Sequence, residues 1–171
     1  MKRHWTQDKN FVAIVGDLVN TDAVKKLDEI THHHVTTRFE HSASVAYVSY
    51  KLAKRFKKMD ETEVSRAALL HDLFYYDWRD TKFEEGSHAY VHPRIAAENA
   101  EKLMPLTDKQ KDIIVKHMWP MTIALPKYKE SFMVSCVDKY CAMKEVIVLG
   151  TPRKYNQLKL LAASALFFIA K

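Results

Sequence analysis

The chain has 171 residues, 47% of them hydrophobic and 28% charged, which is the composition of a globular protein and excludes a disordered one. This length suits one domain with a full core, and we predict a single domain over residues 1–171. With only 3 glycines and 5 prolines, the composition disfavours a sheet-rich fold and any glycine-rich phosphate loop. The net charge of +6 suits either a lysine-rich solvated surface or attraction to anions such as phosphates.

Neither end of the sequence predicts a membrane segment. The charged N-terminus is followed only by the short apolar run FVAIV, which does not have the length of a signal peptide. The apolar stretch 158–171 is shorter than the roughly 20 residues that span a bilayer, so we predict a docked helix, with a membrane-surface helix as the alternative. Cys136 and Cys141 lie in one apolar run at a spacing that does not suit a disulfide, and we interpret them as reduced core thiols of a cytoplasmic protein.

In the first half of the chain the apolar spacing is helical. Residues 21–30 predict a short helix capped by Thr21, and residues 36–57 predict a longer one. The longer helix carries an apolar stripe with steps of four and three residues, comprising His41, Val45, Val48, Leu52 and Phe56. Residues 60–63 have the form of a capping box before the next helix, which contains RAALLHDLFYY.

In the second half, residues 77–89 predict a loop. Pro93 suits the first turn of the helix that follows, which would place His92 at its N-cap. A second capping box at residues 107–110 opens the helix that carries DIIVKHMW, and residues 129–148 form another helix. Gly150, Thr151 and Pro152 would end that helix and start the last one. We therefore predict an all-α, single-domain bundle of six or seven helices without strands.

Two acids lie where a helix should be buried. His71 and Asp72 are adjacent in the middle of RAALLHDLFYYDW, which is otherwise apolar on every helical face, and Asp138 lies in the apolar run FMVSCVDKYCAM. A buried carboxylate costs several kcal/mol unless it is paired or binds a metal. A single buried histidine is most often a hydrogen-bonded core residue, but the adjacent pair and its recurrence favour a site.

Three further histidines occupy positions that core packing does not favour. His41 begins an apolar stripe, and His117 follows Ile113 by four residues on an apolar face. His92 would open a helix, where the macrodipole disfavours the protonated ring and leaves the neutral imidazole that a metal requires.

Imidazole and carboxylate donors together suit Fe, Mn, Zn, Ni or Co, and the lack of usable thiolates argues against a structural zinc site. Six side chains exceed what one catalytic ion needs. A shared carboxylate could bridge two ions about 3.5–4 Å apart, as in two-metal hydrolases.

The order of His41, then His71-Asp72, then Asp138, all on helices, resembles the HD superfamily of metal-dependent phosphohydrolases, and the interposed His92 and His117 resemble its dinuclear branch. The resemblance covers about residues 38–144 and implies a helical fold of the HD-domain type. It also implies ligand roles: one ion would be held by His41, His71, Asp72 and Asp138. Asp72 would bridge to a second ion completed by His92 and His117, and a hydroxide between the ions would be the nucleophile.

The resemblance implies a metal-dependent phosphohydrolase or phosphodiesterase that acts on a phosphate ester or anhydride. Its small phosphorylated substrate is expected to be a nucleotide, without specific nucleic-acid binding, and a homodimer is left open. Two divalent ions are expected, with Fe or Mn favoured by the resemblance and Zn, Ni, Co and Mg as alternatives. The chain departs from many dinuclear relatives because no Gly-Lys follows the HD pair, and it has no signature of the cyclic-di-GMP subgroup.

The group that binds phosphate is therefore open. Arg38 lies one turn before His41 and has the bidentate geometry for a phosphate, with equal weight for a surface arginine. Weaker candidates are Arg79 and Lys82, in the loop after the HD pair, and Lys139. Asp77 is either a partner of a ligand histidine or a cap.

Two other clusters have competing interpretations. His32, His33 and His34 are interpreted as an exposed turn and not as a closed metal site. The aromatic group of Tyr75, Tyr76 and Trp78 could stack on a base but more often such a group closes a core.

Three other functions stay open at this point. A domain of this kind could sense a nucleotide or phosphate without turnover, although such a domain does not need all six ligands. A di-iron oxygenase is a less favoured alternative. Nucleic-acid binding through the basic surface lacks any groove-reading motif.

Overall fold

The computed structural model describes residues 4–32, 36–56 and 58–148. Within them the chain is all-α, with seven α-helices and two 3₁₀ helices, His4–Gln7 and Lys26–Glu29. The α-helices are α1 (Lys9–Val19), α2 (Asp22–Lys25), α3 (Arg38–Arg55), α4 (Glu61–Leu70), α5 (His88–Glu101), α6 (Asp108–Lys116) and α7 (Lys129–Val148). No described helix is both long and apolar enough to cross a membrane. The predicted last helix, with Gly150 to Pro152 before it, lies outside the described residues, as do His33 and His34.

The bundle is organised around α3. This helix packs against α4 and α7, α4 packs against α6, and α6 also contacts α5 and α7. The core between them consists of fully buried apolar side chains, among them Val45, Leu69, Leu70, Ile113 and Met133. Both cysteines are free, and Cys141 lies in this core as predicted, whereas Cys136 is only partly buried. The C-terminal ends of α4 and α6 meet, because the rings of their C-cap residues, His71 and His117, have centroids 4.8 Å apart.

The prediction that the chain lacks strands needs a small correction. Strand β1 (Thr31–His32) pairs antiparallel with β2 (Thr36–Thr37), so a short hairpin with two residues in each strand leads directly into α3. Thr37 is both the end of β2 and the N-cap of α3, where its hydroxyl accepts from the backbone N–H of Glu40 in a capping box. This hairpin fixes where α3 starts and so fixes the first turn, which carries Arg38 and His41.

Several predicted helix boundaries differ from the structure. The helix expected over 21–30 is divided into α2 and the 3₁₀ helix, although Thr21 caps it as predicted. Asp60 caps α4 as predicted, but the expected capping box is incomplete. The Glu63 carboxylate accepts from the Thr107 hydroxyl and pairs with Lys109 instead of bonding to the N-cap backbone. The capping box of α6 and the span of α7 agree with the prediction.

Helix α5 begins at His88, earlier than predicted, with Ser87 as the N-cap. His92 therefore lies inside α5 and is not its N-cap, so the macrodipole argument for a neutral His92 was wrong. Pro93 lies inside the helix as well and not in the position that Pro most often takes, the first turn.

Candidate metal centre

The sequence suggested that His71 and Asp72 lie in the middle of a helix. In the structure they lie at its end. Helix α4 ends at Leu70, and His71 is its C-cap. The backbone N–H of Leu73 bonds to Leu70, and that of Phe74 bonds to Asp72, so the chain turns at the pair. Asp72 lines the cavity described below, whereas His71 is fully buried beside it. His117 is likewise the C-cap of α6, so the partial negative charge of two helix ends favours a cation here.

Three of the candidate histidines are oriented by the same kind of local hydrogen bond, from Nδ1 to a backbone carbonyl three or four residues earlier. Nδ1 of His71 lies 2.8 Å from the carbonyl oxygen of Ala68. Nδ1 of His92 lies 2.8 Å from the carbonyl oxygen of His88, and Nδ1 of His117 lies 2.7 Å from the carbonyl oxygen of Ile114. Because a carbonyl oxygen only accepts, each Nδ1 carries a proton, and Nε2 is the nitrogen that faces the cluster. This is the tautomer that a metal ligand requires.

The free Nε2 atoms converge on Asp72. The Oδ1 atom of Asp72 lies 3.3 Å from Nε2 of His92 and 3.5 Å from Nε2 of His117, and the two Nε2 atoms are 2.8 Å apart. His71 contacts the other oxygen, with 3.8 Å from its Nε2 to Oδ2 of Asp72. Burial, with the neighbouring imidazoles of His71 and His92, holds the pKa of His117 well below its usual value, so this ring is neutral.

The other side of the cluster is built on Asp138. Nε2 of His41 lies 3.0 Å from Oδ1 of Asp138, and Nε2 of His71 lies 3.6 Å from the same oxygen. Nδ1 of His41 donates to Oε1 of Glu145 over 3.0 Å. Burial alone would lower the pKa of His41, but the two carboxylates outweigh burial and raise it to about 10. Without a cation, His41 is therefore a charged ring between two acids.

Both aspartates are ionised in spite of their burial. Burial raises the pKa of Asp72, but the facing imidazoles, His71 first, hold it well below its usual range. Burial also raises the pKa of Asp138, but the Lys139 ammonium, the hydrogen bond from His41 and the nearby His71 ring hold it well below that range. The Nζ atom of Lys139 lies 2.8 Å from Oδ2 of Asp138. The centre thus presents two carboxylates and four imidazoles to one small volume.

These side chains fit a divalent metal. Two groups have ligand atoms that all lie within 4.8 Å of one another, His41–His71–Asp138 and His71–Asp72–His117. Among the described residues, buried Nε2 of His71 and Oδ1 of Asp72 make no hydrogen bond of acceptable geometry, although each faces the cluster. Buried polar atoms without a hydrogen bond are costly, and a cation would satisfy both. The N/O donor set suits the transition metals expected from the sequence.

Arg38 is not a surface arginine, because only 1% of it is exposed. Its guanidinium lies 3.6 Å over the ring of Phe74, with Nη1 donating to the carbonyl of Phe74 at 2.6 Å and Nη2 to that of Tyr76 at 3.5 Å. It therefore holds the segment that follows the HD pair. Nε of Arg38 has no hydrogen-bond partner among the described residues, and the side chain lines the cavity in front of the centre.

A cavity of about 410 Å³ opens onto the centre. Its polar lining includes Asp72, His92, His117, Asp138 and Lys139, and its remaining lining includes Phe74, Trp78, His88, Met118, Met121 and Met143. Trp78, which is 40% exposed, stacks on His88 with ring centroids 5.6 Å apart, and His88 stacks on His92 at 4.3 Å. An aromatic stack therefore leads from solvent to a candidate ligand.

The other sequence candidates lie outside this arrangement. Arg79 pairs with Asp77, which also accepts from the backbone of Arg79, so Asp77 acts as a local cap and not as a partner of a ligand histidine. Lys82 is exposed. Tyr75 donates to the carbonyl of Ala23 and packs against the core, whereas Tyr76 hydrogen-bonds His88.

Two residues of the site were not predicted. Glu145 is buried and contacts His41, and it follows Asp138 by seven residues, which places both acids on one face of α7. His88 precedes His92 by four residues on α5, the spacing of helical neighbours. The sequence signals were present: an acid followed by Val146, Ile147 and Val148, and a second histidine one turn before the first.

A comparison with family models shows where the chain belongs. The model for the HD domain matches residues 38–143, more than half of the chain, and the match includes all six of the candidate ligands. No curated protein and no solved structure matches the chain. HD domains bind divalent metals, and their family consists mostly of metal-dependent hydrolases, which indicates phosphohydrolase activity in general and a small phosphorylated substrate. With a clustered His/Asp set inside the matched region, the chain belongs to the HD domain family.

Proposed function

We propose that this protein is a metal-dependent phosphohydrolase that hydrolyses a phosphate ester or anhydride of a nucleotide. The observation that carries the proposal is the convergence of three oriented Nε2 atoms on the ionised Asp72 at the floor of an open cavity. Imidazoles and a carboxylate in this geometry have the donor chemistry of a catalytic metal centre.

The six ligand candidates divide into two positions. His41, His71 and Asp138 form one, and His92 and His117 form the other, with Asp72 between them as the bridging carboxylate. Two divalent ions held in this way would supply a water of lowered pKa and would neutralise charge on the phosphoryl oxygens. By resemblance to the dinuclear branch, iron or manganese is the favoured occupant.

The chain itself supplies orientation and charge. The backbone carbonyls behind His71, His92 and His117 hold each ring in its tautomer, so the ligands are preorganised before an ion binds. Lys139 offsets the charge of Asp138 and lines the cavity, and Arg38 adds a second cation there, so both favour an anionic substrate. Trp78 and the three methionines of the wall offer an apolar and aromatic surface for a base.

The experiment is a turnover assay with anaerobically purified protein, loaded with Mn²⁺ or Fe²⁺, against a panel of mononucleotides, dinucleoside polyphosphates and cyclic nucleotides. We expect phosphate or nucleotide release from at least one class, abolished by EDTA and by Asp72→Ala. Tight nucleotide binding without release from any substrate would support a sensing domain instead. Activity that survives in Asp72→Ala at full metal content would refute the proposal.

A further inference from the structure

Glu145 lies beyond the region that matches the HD domain, which ends at residue 143, yet it reaches into the candidate metal centre. Its carboxylate is buried, with 4% of the residue exposed. Oε1 accepts from Nδ1 of His41 at 3.0 Å, and Oε2 accepts from the hydroxyl of Thr36 at 3.1 Å. The contact therefore joins the last turns of α7 to the hairpin and to the first turn of α3.

His41 differs from the other three histidines of the centre in what holds its ring. His71, His92 and His117 each place Nδ1 against a neutral carbonyl three or four residues earlier in the chain. His41 instead places Nδ1 against an acid 104 residues away. A carboxylate behind a ligand histidine fixes the same tautomer but also raises the basicity of the ring.

We propose that Glu145 is a positioning residue that makes the His41–His71–Asp138 position the tighter of the two metal positions. With Nδ1 of His41 bound to Glu145, Nε2 is the atom that faces Asp138, 3.0 Å away. Two atoms that ligate one ion at about 2.1 Å each lie roughly this far apart, so the pair is already spaced for a shared cation. The added negative charge of Glu145 also favours a cation, most strongly beside His41, which Glu145 contacts.

This inference rests on the proposed metal centre and adds an order of filling. The first divalent ion should enter at His41, His71 and Asp138, and the second should enter near His92 and His117, where each Nδ1 faces a backbone carbonyl. Thr36 contributes by anchoring Oε2, which leaves Oε1 aimed at His41.

The test is calorimetric titration of metal-free protein with Mn²⁺ for wild type, Glu145→Gln and Glu145→Ala. The amide of Glu145→Gln keeps an oxygen that accepts from Nδ1 but lacks the charge, whereas Glu145→Ala removes both. We expect the tighter binding event to weaken about 10–100-fold in Glu145→Ala and less in Glu145→Gln, with the weaker event unchanged. Long-range ¹⁵N–¹H spectra of the His41 ring supply a second readout, since only Glu145→Ala should lose the hydrogen bond of the Nδ1 proton.

Glu130 provides the matched control. It is a buried acid on the same helix, with 3% of the residue exposed, but it pairs with Lys109. Glu130→Gln should leave both binding events unchanged. Equal weakening of both events by the Glu145 variants, or no change in either, would overturn the inference while wild type still binds two ions. Failure of wild type to bind any divalent ion would overturn the proposed function as well. If Glu145→Ala does not fold, Glu145→Gln alone is the test: weaker Mn²⁺ binding in the tighter event supports the inference, and unchanged binding contradicts it.

Discussion

Nε2 of His92 lies 2.8 Å from Nε2 of His117, and each ring keeps its Nδ1 proton on a carbonyl of its own helix region. With both Nδ1 protons placed on carbonyls, the two Nε2 atoms face each other and share either one proton or a cation beside them. The contact therefore presents two nitrogen donors to one point, as a metal centre requires. It also brings α5 and α6 together at the point where Asp72 leaves α4.

Metal binding should stabilise the fold, because an ion that binds only the folded chain shifts the unfolding equilibrium. At a Mn²⁺ concentration of 100 times Kd, the free energy of unfolding should rise by about 2.7 kcal/mol for one site. Thermal unfolding with and without EDTA measures this. His117→Ala should lose part of the gain, and an identical gain in wild type and His117→Ala would remove His117 from the centre.

The metal-free protein should be most stable near pH 6.5, where the stability effects of two histidines meet. The pKa of His41 is raised to about 10, so its contribution is fully present below pH 6.5 and is lost as pH rises toward 10. Burial, with the His92 ring next, lowers the pKa of His88 to about 4, so stability falls as pH drops from 6.5 toward 4. Thermal unfolding of EDTA-treated protein across this pH range measures both sides.

Single substitutions separate the two sides of that profile. His41→Gln should remove the loss at alkaline pH and leave the acidic side. His88→Gln should lessen the acidic decline without abolishing it, because the pKa of His117 is also lowered. An alkaline decline that persists in His41→Gln would show that another group causes it.

Arg38 should contribute to both stability and substrate binding. Arg38→Met keeps the aliphatic volume but leaves the carbonyls of Phe74 and Tyr76 without their charged donor, and we expect a loss of about 2–3 kcal/mol in the free energy of unfolding. Urea denaturation measures this loss. Arg38→Lys keeps the charge, and if Arg38 also contacts phosphate, KM should rise in Arg38→Met more than in Arg38→Lys. Unchanged stability in Arg38→Met would contradict its anchoring role.

Trp78 should distinguish substrates with a base from those without one. Base–aromatic stacking contributes about 1–3 kcal/mol, so Trp78→Ala should lower kcat/KM for a nucleotide by roughly 5–150-fold. Its effect on glycerol phosphate should be small. Tyr90, equally exposed at 40% but absent from the cavity lining, gives the control Tyr90→Ala. Equal losses on both substrates in Trp78→Ala would exclude a stacking role.

The sequence was sufficient for the parts of the fold that depend on local pattern. The all-α class, the caps at Thr21 and Thr107 and the span of α7 follow from spacing and from capping residues. The six ligand candidates were found because acids and histidines interrupt apolar runs, which local packing does not explain.

The remainder depended on tertiary contacts. Pro93 was expected at a helix start, but α5 accepts it in its interior, and the shift moved His92 from a cap to the helix body. From its charge alone, Arg38 was as plausible on the surface as beside a phosphate. In the structure its guanidinium is buried over the ring of Phe74 and donates to two backbone carbonyls. Glu145 was missed because its role depends on its contact with His41. The two residues are 104 positions apart, and no local sequence pattern predicts such a contact.

Elemental analysis of the anaerobically purified protein tests the central claim most directly, with Asp72→Ala prepared in parallel. We predict two divalent ions per chain in wild type and fewer than one in Asp72→Ala, because the carboxylate shared between the two positions is gone. Wild-type protein that holds no divalent ion even after reconstitution, or Asp72→Ala that holds as much metal as wild type, would contradict the account.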